Sequence, residues 1–189
     1  NGQTDAVATG LIAGLYDVTV SDANGCTATS SVTLADPTPL TATIISQTNI
    51  LCFGNLTGDA TVAEVGGTLG VYTYLWDAAA GSQNTTLATG LAAGVYCATV
   101  TDVNLCEAVA CVTITAPTNA VSVTASVSVA ISCFGAANGT ATAVGVGGTG
   151  AFTYNWSNSQ TNAIATGLSA GVYDVTATDA NGCSTTASV

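Results

Sequence analysis

The sequence contains no lysine, arginine or histidine, and its 11 acidic residues give a formal net charge of −11. Without cations the surface has nothing to neutralise phosphate, which excludes nucleic acid as a partner and direct docking to anionic lipid. The same absence removes general-base histidines and Schiff-base lysines, so the composition predicts a protein that is not an enzyme and needs no cofactor. No apolar run reaches membrane-spanning length, and direct membrane insertion of this segment is not expected.

What the sequence has instead is internal repetition. A block Gly-Leu-x-Ala-Gly-x-Tyr, followed by Asp-x-Asn-x-Cys, occurs three times. Its tyrosines are 80 and 77 residues apart, a period that fits a small domain and is too long for a solenoid turn. The repeats predict three modules: residues 1–37 as the C-terminal half of a first module, residues 38–117 as a complete second module, and residues 118–189 as a nearly complete third module.

Composition and periodicity both predict β-structure. The segment 121–131 alternates Val and Ile with Ser and Thr, the pattern of a half-buried strand. In the second module, strands are predicted near residues 40–47, 58–65, 70–77, 84–88, 95–102 and 107–115. The predicted fold class is all-β, with tandem immunoglobulin-like antiparallel β-sandwich modules of about 80 residues each.

Five aromatic residues are predicted to be structural core. A tryptophan ends the third strand of each full module, where such sandwiches commonly bury one, and the repeated tyrosine resembles a tyrosine corner. The predicted core residues are Trp76, Trp156, Tyr16, Tyr96 and Tyr173.

The aromatic strand of each full module has two interpretations. Tyr72, Tyr74 and Trp76 share one strand face, and a row of this kind can stack on sugar rings. In the third module Thr153 and Asn155 occupy the other face, and they are better suited to solvent. The core interpretation is therefore favoured over a glycan platform.

Seven cysteines without a Cys-x-x-Cys pair indicate disulfides formed in an oxidising compartment. Each full module has one cysteine before Phe-Gly, here called the loop cysteine, and one after Asp-x-Asn-x, here called the turn cysteine. The expected pairs within modules are Cys52–Cys106 and Cys133–Cys183, with Cys26 bonded to a partner upstream of residue 1.

The second module has an additional cysteine pair. Cys97 and Cys111 lie equally far from Asn104, so a hairpin turning there places them opposite each other. A third disulfide, Cys97–Cys111, is predicted, and the equivalent positions in the other modules are Asp17 with Ser31 and Asp174 with Ser188.

The order of these motifs resembles the SprB repeat across essentially the whole chain. The motifs are Cys-Phe-Gly, Gly-Gly-Thr, Tyr-x-Tyr-x-Trp, Gly-Leu-x-Ala-Gly-x-Tyr and Thr-Asp-Ala-Asn-Gly-Cys. Leu105 departs from the pattern by replacing a glycine, and the Cys97/Cys111 pair is extra. The resemblance implies immunoglobulin-like modules, similar to polycystic-kidney-disease domains, in very long surface proteins of gliding and related Bacteroidetes. It also implies export by the type IX secretion system.

Two further motifs have competing explanations. The repeated Asp-x-Asn turns are weak calcium candidates, because two oxygen-bearing side chains are too few for a closed site and Asx-turn hydrogen bonds explain both residue types. The candidate residues are Asp22, Asn24, Asp102, Asn104, Asp179 and Asn181. The glycines of residues 145–150 match a dinucleotide-binding pattern, but a strand is predicted where a helix must begin.

Together the sequence and this resemblance predict a structural and adhesive repeat region of a long bacterial cell-surface protein or filament, located outside the cell, with a role in adhesion and in gliding motility. Its expected partners are neighbouring repeats of the same protein, a homo-oligomeric filament, and an extracellular surface or glycan. The alternative is a set of spacer or carbohydrate-binding modules within a secreted polysaccharide-degrading enzyme.

Overall fold

The structure, a computed structural model, describes residues 2–189. The first module contains two strands, β1 (Gly14–Ser21) and β2 (Thr27–Leu34), which form an antiparallel hairpin. Its apolar side chains are exposed, because within the described residues no second sheet packs on this hairpin. No helix in residues 2–189 has the length and apolar character needed to cross a membrane.

The second module is a sandwich of two three-stranded antiparallel sheets. One sheet has the order β3-β4-β6 and the other has the order β5-β7-β8. The strands are β3 (Thr41–Thr48), β4 (Gly58–Val65), β5 (Thr73–Trp76), β6 (Leu87–Leu91), β7 (Gly94–Thr101) and β8 (Glu107–Ile114), with a single 3-10 turn at Ala78–Ala80.

The third module repeats this arrangement. Its sheets have the orders β12-β10-β9 and β11-β13-β14. The strands are β9 (Ser122–Val129), β10 (Gly139–Val146), β11 (Thr153–Trp156), β12 (Ile164–Leu168), β13 (Asp174–Thr178) and β14 (Ser184–Ser188). The predicted all-β fold of tandem antiparallel sandwiches is confirmed.

Each full module has its own hydrophobic core, formed because alternate side chains of facing strands point inward. In the second module, β4 buries Ala60 and Val62 while β7 buries Ala98 and Val100. The third module has a separate core, in which β10 and β13 contribute the equivalent alternate residues. The predicted boundary between residues 117 and 118 falls between the two cores.

Four of the six strands predicted for the second module agree with the structure to within about one residue, as expected for element ends. The strand predicted at 70–77 is shorter, because the glycine-rich segment before Thr73 forms a turn. The strand predicted at 84–88 lies instead at Leu87–Leu91. Before it, the side-chain amide of Gln83 exchanges two hydrogen bonds of 3.0 Å with the backbone of Thr89, so this segment turns rather than extends.

Three of the five aromatic residues predicted to be core are buried, and all three lie in the second and third modules. Trp76, Trp156 and Tyr96 are 0%, 2% and 4% exposed. Tyr16 and Tyr173 are only partly buried. Tyr173 packs against the core of the third module, whereas Tyr16 belongs to neither core. Tyr16 has no second sheet over it, and Tyr173 lines an open apolar cavity of about 230 Å³.

The glycine that begins β4 and β10 faces a different isoleucine in each full module. In the second module, β8 extends to Ile114, which is 1% exposed and packs against Gly58. In the third module, the side chain of Ile131 lies against Gly139, the equivalent of Gly58.

Truncation of the buried tryptophan provides a test of the second core. We expect Trp76→Ala to lower the free energy of unfolding by about 3–5 kcal/mol, because it opens a large cavity in a close-packed interior. Leu69→Ala, at a side chain that is 89% exposed, is the matched control and should change stability by less than about 0.5 kcal/mol. Urea unfolding followed by far-ultraviolet circular dichroism measures both, and equal effects would contradict the assignment of the core.

Candidate functional site: the junction between modules

The repeated Asp-x-Asn-x-Cys segment is a tight turn built around its aspartate. The Oδ1 atom of Asp102 accepts hydrogen bonds from the backbone N–H groups of Asn104 (2.9 Å) and Cys106 (2.8 Å). Its Oδ2 atom accepts a third, of 2.8 Å, from the N–H of Thr68 in a different loop. The carboxylate therefore fixes the hairpin turn against the Gly-Gly-Thr loop.

Asp179 makes the same contacts in the third module. Its carboxylate accepts hydrogen bonds from the backbone N–H groups of Asn181 and Cys183, both of 2.9 Å, and from that of Thr149, of 2.8 Å. The two aspartates are 4% and 5% exposed. Sequence repetition thus produces one turn geometry at the same end of both sandwiches.

These hydrogen bonds lower the pKa of both carboxyl groups. At Asp102 the bond from Thr68 is the main cause, and it outweighs the opposing effect of burial. At Asp179 burial raises the pKa, but the N–H groups of Thr149 and Cys183 more than offset it. Partial desolvation and the Asp102 carboxylate together raise the pKa of the adjacent Cys106 thiol. Both carboxylates are therefore stabilised in their charged form by backbone dipoles.

The calcium candidates fall on these turns, and the structure gives their side chains other partners. Asp102 uses both carboxylate oxygens on N–H donors, and Asn104 donates from Nδ2 to Thr68 Oγ1 at 2.8 Å. In the first module, Asp22 accepts the N–H groups of Asn24 and Cys26. Within residues 2–189, no group of three or more His, Cys, Asp or Glu side chains is arranged to hold a metal ion. The three aspartates make the side-chain hydrogen bonds expected of Asx turns, and the calcium candidates stay a prediction.

The dinucleotide-like glycines form the other loop of this site. Gly147 and Gly148 have φ angles of +77° and +56°, and a Cβ on Gly147 would lie 2.0 Å from the carbonyl oxygen of Ala120. The N–H of Gly148 bonds to the carbonyl of Asn119 at 3.1 Å. A strand, β11, follows where a phosphate-binding helix would have to begin. These glycines let the loop approach the segment that enters the module, and no helix N-terminus follows them to receive a phosphate.

The opposite end of the second module carries the loop cysteine. The N–H of Ile50 bonds to the carbonyl of Thr115 at 2.8 Å, and the N–H of Thr115 bonds to Asn49 Oδ1 at 2.9 Å. These bonds fix the start of the Cys52-Phe53-Gly54 loop beside the end of β8. The connecting segment 116–118 lines the same cleft as Ile50 and Phe53.

The loop end of the second module meets the turn end of the third module at the junction between them. Cys52, in the loop of the second module, is disulfide-bonded to Cys183, in the turn of the third, with Cα atoms 5.6 Å apart. Beside this bridge, Asn181 Nδ2 donates a 3.1 Å hydrogen bond to the carbonyl of Leu51. Consecutive modules are therefore joined covalently as well as by the connecting chain.

This bridge corrects the predicted disulfide pairing. The pairs Cys52–Cys106 and Cys133–Cys183 are wrong, because the loop cysteine and the turn cysteine lie at opposite ends of one module. Cys106 directly precedes β8, whereas Cys52 lies near its final residues, and eight residues of strand span about 26 Å. Cys26, Cys106 and Cys133 are free and exposed. The predicted type of pair, a loop cysteine with a turn cysteine, is correct, but the two cysteines belong to neighbouring modules.

The third predicted disulfide is present. Cys97 and Cys111 are directly opposite in the β7–β8 ladder and are bonded. In the other modules the equivalent positions carry a hydrogen bond instead, from Ser31 to Asp17 and from Ser188 to Asp174. The cross-strand contact recurs in every module, and only its chemistry changes.

The aromatic faces are directed into the modules. Tyr72 and Tyr74 pack against the core of the second module and donate hydrogen bonds of 2.8 Å to the Gly66 carbonyl and to Glu64. Burial, with the Glu64 contact, raises the pKa of Tyr74 to about 12. Phe152 and Tyr154 pack in the same way in the third module. These rows are core and offer no stacking platform.

The tyrosine corner is present in all three modules. The hydroxyl group of Tyr96 donates to the carbonyl of Ala92 at 3.0 Å, and that of Tyr16 donates to Ile12 at 2.8 Å. The Tyr173 hydroxyl lies 3.3 Å from the Ser169 carbonyl. This contact, four residues back along the chain, confirms the predicted corner.

Comparison with known families gives one match in each full module. The SprB repeat model matches residues 44–81 and 122–161. Each full module thus contains a segment that matches the SprB repeat. Both matches begin in the first strand of a full module and extend past its buried tryptophan, so they cover the loop cysteine and the Gly-Gly-Thr loop of each.

Similar chains of known structure are remote from this protein. The first three domains of the bacteriophage RB49 outer capsid protein Hoc align with a TM-score of 0.43 and 16% identity, over 79% of this chain and 58% of that one. The eight N-terminal immunoglobulin domains of Down Syndrome Cell Adhesion Molecule align with 0.41 and 15%, over 97% and 27%. A tetra-tandem repeat from the extending region of a large adhesion protein aligns with 0.28 and 15%, over 95% and 56%. The chain thus spans less than two thirds of each of these structures. No curated protein sequence matches it.

The disulfide between modules can be distinguished from one within a module by two single substitutions. We expect Cys183→Ser to lower the free energy of unfolding by up to about 5 kcal/mol, because the bridge closes a loop of 131 residues. Cys106→Ser should leave stability unchanged in residues 1–189, since its thiol is free. Urea unfolding of both variants under non-reducing conditions provides the measurement. A destabilised Cys106→Ser variant would instead support a bridge within the module.

The aspartate turns should make the stability of the second and third modules sensitive to acid. Because folding lowers the pKa of Asp102 and Asp179 below 3.8, their contribution to stability is complete above that value. It is lost as the pH falls from about 4 through the lower pKa of the folded protein. Urea unfolding at a series of pH values should show this loss, and Asp102→Asn should make the acid dependence shallower.

Asp36→Asn, which removes an exposed carboxylate, is the control for this measurement. It should leave the acid dependence unchanged. Equal acid dependence in the wild type and Asp102→Asn would show that the buried turn carboxylate does not govern acid stability.

Proposed function

We propose that this chain is a structural and adhesive region of a long bacterial cell-surface protein. Its SprB repeats extend outward from the cell and act by holding their shape under tension. The observation that carries this proposal is the junction, where the Cys52–Cys183 bridge and the Asn181 hydrogen bond join successive modules. A protein that needed flexible modules would gain nothing from such a contact.

The architecture of the junction supports a stiff array. The connecting segment 116–118 is short, contains Pro117, and lies in the cleft beside Ile50 and Phe53. On the other side, Gly148 and Thr149 fix the start of the third module and its Asp179 turn. Bending there requires several contacts to break together, so tension is passed between folded modules.

The chemistry of the surface supports a mechanical role over a catalytic one. The sequence has no basic side chain, and the aromatic rows that could bind sugar are packed in the cores. Trp156, the residue on which a carbohydrate-binding role would depend, is 2% exposed. The alternative, carbohydrate-binding modules of a secreted enzyme, therefore has less support than an adhesive array.

The resemblance to gliding-associated surface proteins supports a location outside the cell and export by type IX secretion. Disulfides agree with an oxidising location. The absence of lysine and arginine leaves no trypsin site, which suits an exposed fibre. Tandem copies give reach and multivalent contact with a surface. A surface with few charges also opposes side-by-side packing weakly, so we infer that arrays can associate into filaments.

The location and adhesive role can be tested on intact cells that produce the native protein. Antibody fragments raised against residues 38–189 should label unpermeabilised cells and reduce their attachment to a solid surface by more than half. The physical reason is that an extended array presents its modules outside the cell. Fragments against an unrelated surface protein control for steric effects. A nonspecific protease applied outside should remove the label, whereas trypsin should not cut within this segment.

Two results would contradict the proposal. One is an antigen found only in the medium, in a particle that degrades polysaccharide, with attachment unaffected. The other is an antigen that becomes accessible only after permeabilisation. The first result would support the alternative of a secreted enzyme.

A further inference from the structure

The bridge between Cys52 and Cys183 joins two positions that recur along the chain. Cys52 begins a Cys-Phe-Gly loop that returns at Cys133, and Cys183 ends an Asp-x-Asn-x-Cys turn that also ends at Cys26 and Cys106. Within the described residues, one loop cysteine, Cys52, has the turn cysteine of the following module, Cys183, available, and these two are bonded. The three remaining cysteines are exposed and free.

The free loop is built like the bonded one. In the bonded loop the N–H of Asn55 donates to the Cys52 carbonyl at 3.2 Å, and in the free loop the N–H of Ala136 donates to the Cys133 carbonyl at 3.1 Å. Gly54 and Gly135 both have a φ of +79°. The loop therefore holds its cysteine in the same backbone arrangement whether or not a neighbour is bonded.

The free turns are also built like the bonded one. In each turn the aspartate Oδ1 accepts the N–H of the turn cysteine, at 2.8 Å for Cys26, 2.8 Å for Cys106 and 2.9 Å for Cys183. These turns are preformed, and bonding to a loop cysteine requires no change in their fold.

The free loop differs from the bonded loop in the solvent exposure of its phenylalanine. Phe134 is fully exposed, whereas Phe53, its equivalent beside the third module, is 54% exposed. Phe53 and Asn55 line a cleft with Ala120 and Val121 of the third module. A neighbouring repeat seated in the same way on the free loop would cover Phe134 to a similar extent.

We propose that the three free cysteines are halves of the same bridge, repeated at every junction of the array. Cys133 bonds to the turn cysteine of the following SprB repeat, and Cys26 and Cys106 bond to the loop cysteines of the repeats that precede their own modules. The partner is another SprB repeat of the same polypeptide. This inference rests on the proposed function, because it requires the chain to be part of an array.

Each bridge forms by oxidation of two thiols. A small-molecule disulfide, such as oxidised glutathione, accepts the two electrons. One thiolate attacks it to give a mixed disulfide and one released thiol. The second cysteine then attacks the mixed disulfide, forming the S–S bond and releasing a second small thiol. Two protein thiols are oxidised and one small disulfide is reduced, so the step is balanced.

The repeated bridge limits how far the array can stretch. From a turn cysteine to the loop cysteine of the following module the chain has 26 residues (Cys26 to Cys52) or 27 residues (Cys106 to Cys133). With every bridge formed, a covalent path can run from a turn cysteine along the chain to the next loop cysteine and then cross the bridge to the turn cysteine of the module after that. This path reaches two modules further along the array through about 27 residues, or roughly 100 Å when they are fully extended. The unbridged chain of about 157 residues, from Cys26 to Cys183, would extend to roughly 550 Å. Bridging thus cuts the maximal extension about fivefold.

The pairing can be read directly from the native protein. It should be collected from cells into an alkylating reagent without reductant, then digested with pepsin at acid pH, where thiolate is scarce and exchange is suppressed. Mass spectrometry should find peptides with Cys26, Cys106 and Cys133 each linked to a cysteine of the opposite type from another repeat. Alkylated Cys26, Cys106 or Cys133, or loop–loop and turn–turn links, would overturn the proposal.

A second experiment uses residues 1–189, where a free cysteine can find a repeat partner only on another copy. Oxidised with glutathione disulfide at high protein concentration, the chain should form covalent oligomers on non-reducing gels through Cys133 and a turn cysteine. Cys133→Ser should abolish the oligomers, whereas Cys26→Ser should retain them through Cys106. Oligomers that persist in Cys133→Ser would show unselective thiol oxidation and count against the pairing rule.

These outcomes are separate from those that test the proposed function. Free thiols in a protein that labels on intact cells and supports attachment would refute the repeated bridge alone. Loop–turn links in a protein that labels only inside cells or only in the medium would support the bridge and refute the adhesive role. In the native protein, links between polypeptides appear as reductant-sensitive oligomers and would contradict bonding within one chain.

Discussion

In the second and third modules, the ends of the sandwich depend on the hydrogen bonds of one buried turn aspartate, Asp102 or Asp179. The sequence contains no cation, so a buried carboxylate can be stabilised only by polar groups, and here it is held by backbone N–H donors. Asp179 receives N–H groups from Asn181 and Cys183 of its own turn and from Thr149 of the Gly-Gly-Thr loop. Because these donors come from two loops, the carboxylate locks the loops together. Cys183 is thereby presented at a fixed position to the neighbouring module.

The same aspartate connects packing within a module to contact between modules. The loop that it anchors through Thr149 also holds the entering chain, because the Gly148 N–H bonds to Asn119 and Gly147 lies against Ala120. The faces of the sandwich form the cores, and its two ends form the junctions. A change at the carboxylate therefore acts on the junction without touching a core side chain.

The sequence predicted the interior of each module better than its ends. Alternation of apolar residues located most strands, and the spacing of Cys97 and Cys111 around Asn104 predicted their bridge, because both patterns follow from the geometry of one ladder. The tyrosine hydroxyl contact at Tyr96 was predictable for a similar local reason. The pairing of Cys52 depended on which end of the sandwich each loop occupies, and repetition alone does not specify that. The direction of β8 relative to β3 would have excluded Cys106 as its partner.

The burial of Tyr16 and Tyr173 was not predictable from their repeat positions. A repeated residue is buried only where the strands that cover it are present, and these two tyrosines lie beside an uncovered hairpin and an open cavity. Their hydroxyl contacts, which need only four residues of local chain, formed regardless. Local geometry was thus set by local sequence, while burial depended on the whole module.

The two disulfides in this structure have the same chemistry but different mechanical consequences. The Cys97–Cys111 bridge joins two strands that are already held together by eight residue pairs of the ladder. In the other modules a hydrogen bond from a serine to an aspartate occupies the same position. There a hydrogen bond suffices, because the ladder fixes both partners. At the junction no ladder crosses from the second module to the third within the described residues, and the side-chain contact beside the bridge is the hydrogen bond from Asn181 to Leu51. A covalent bond between Cys52 and Cys183 therefore supplies there what strand pairing supplies inside a module.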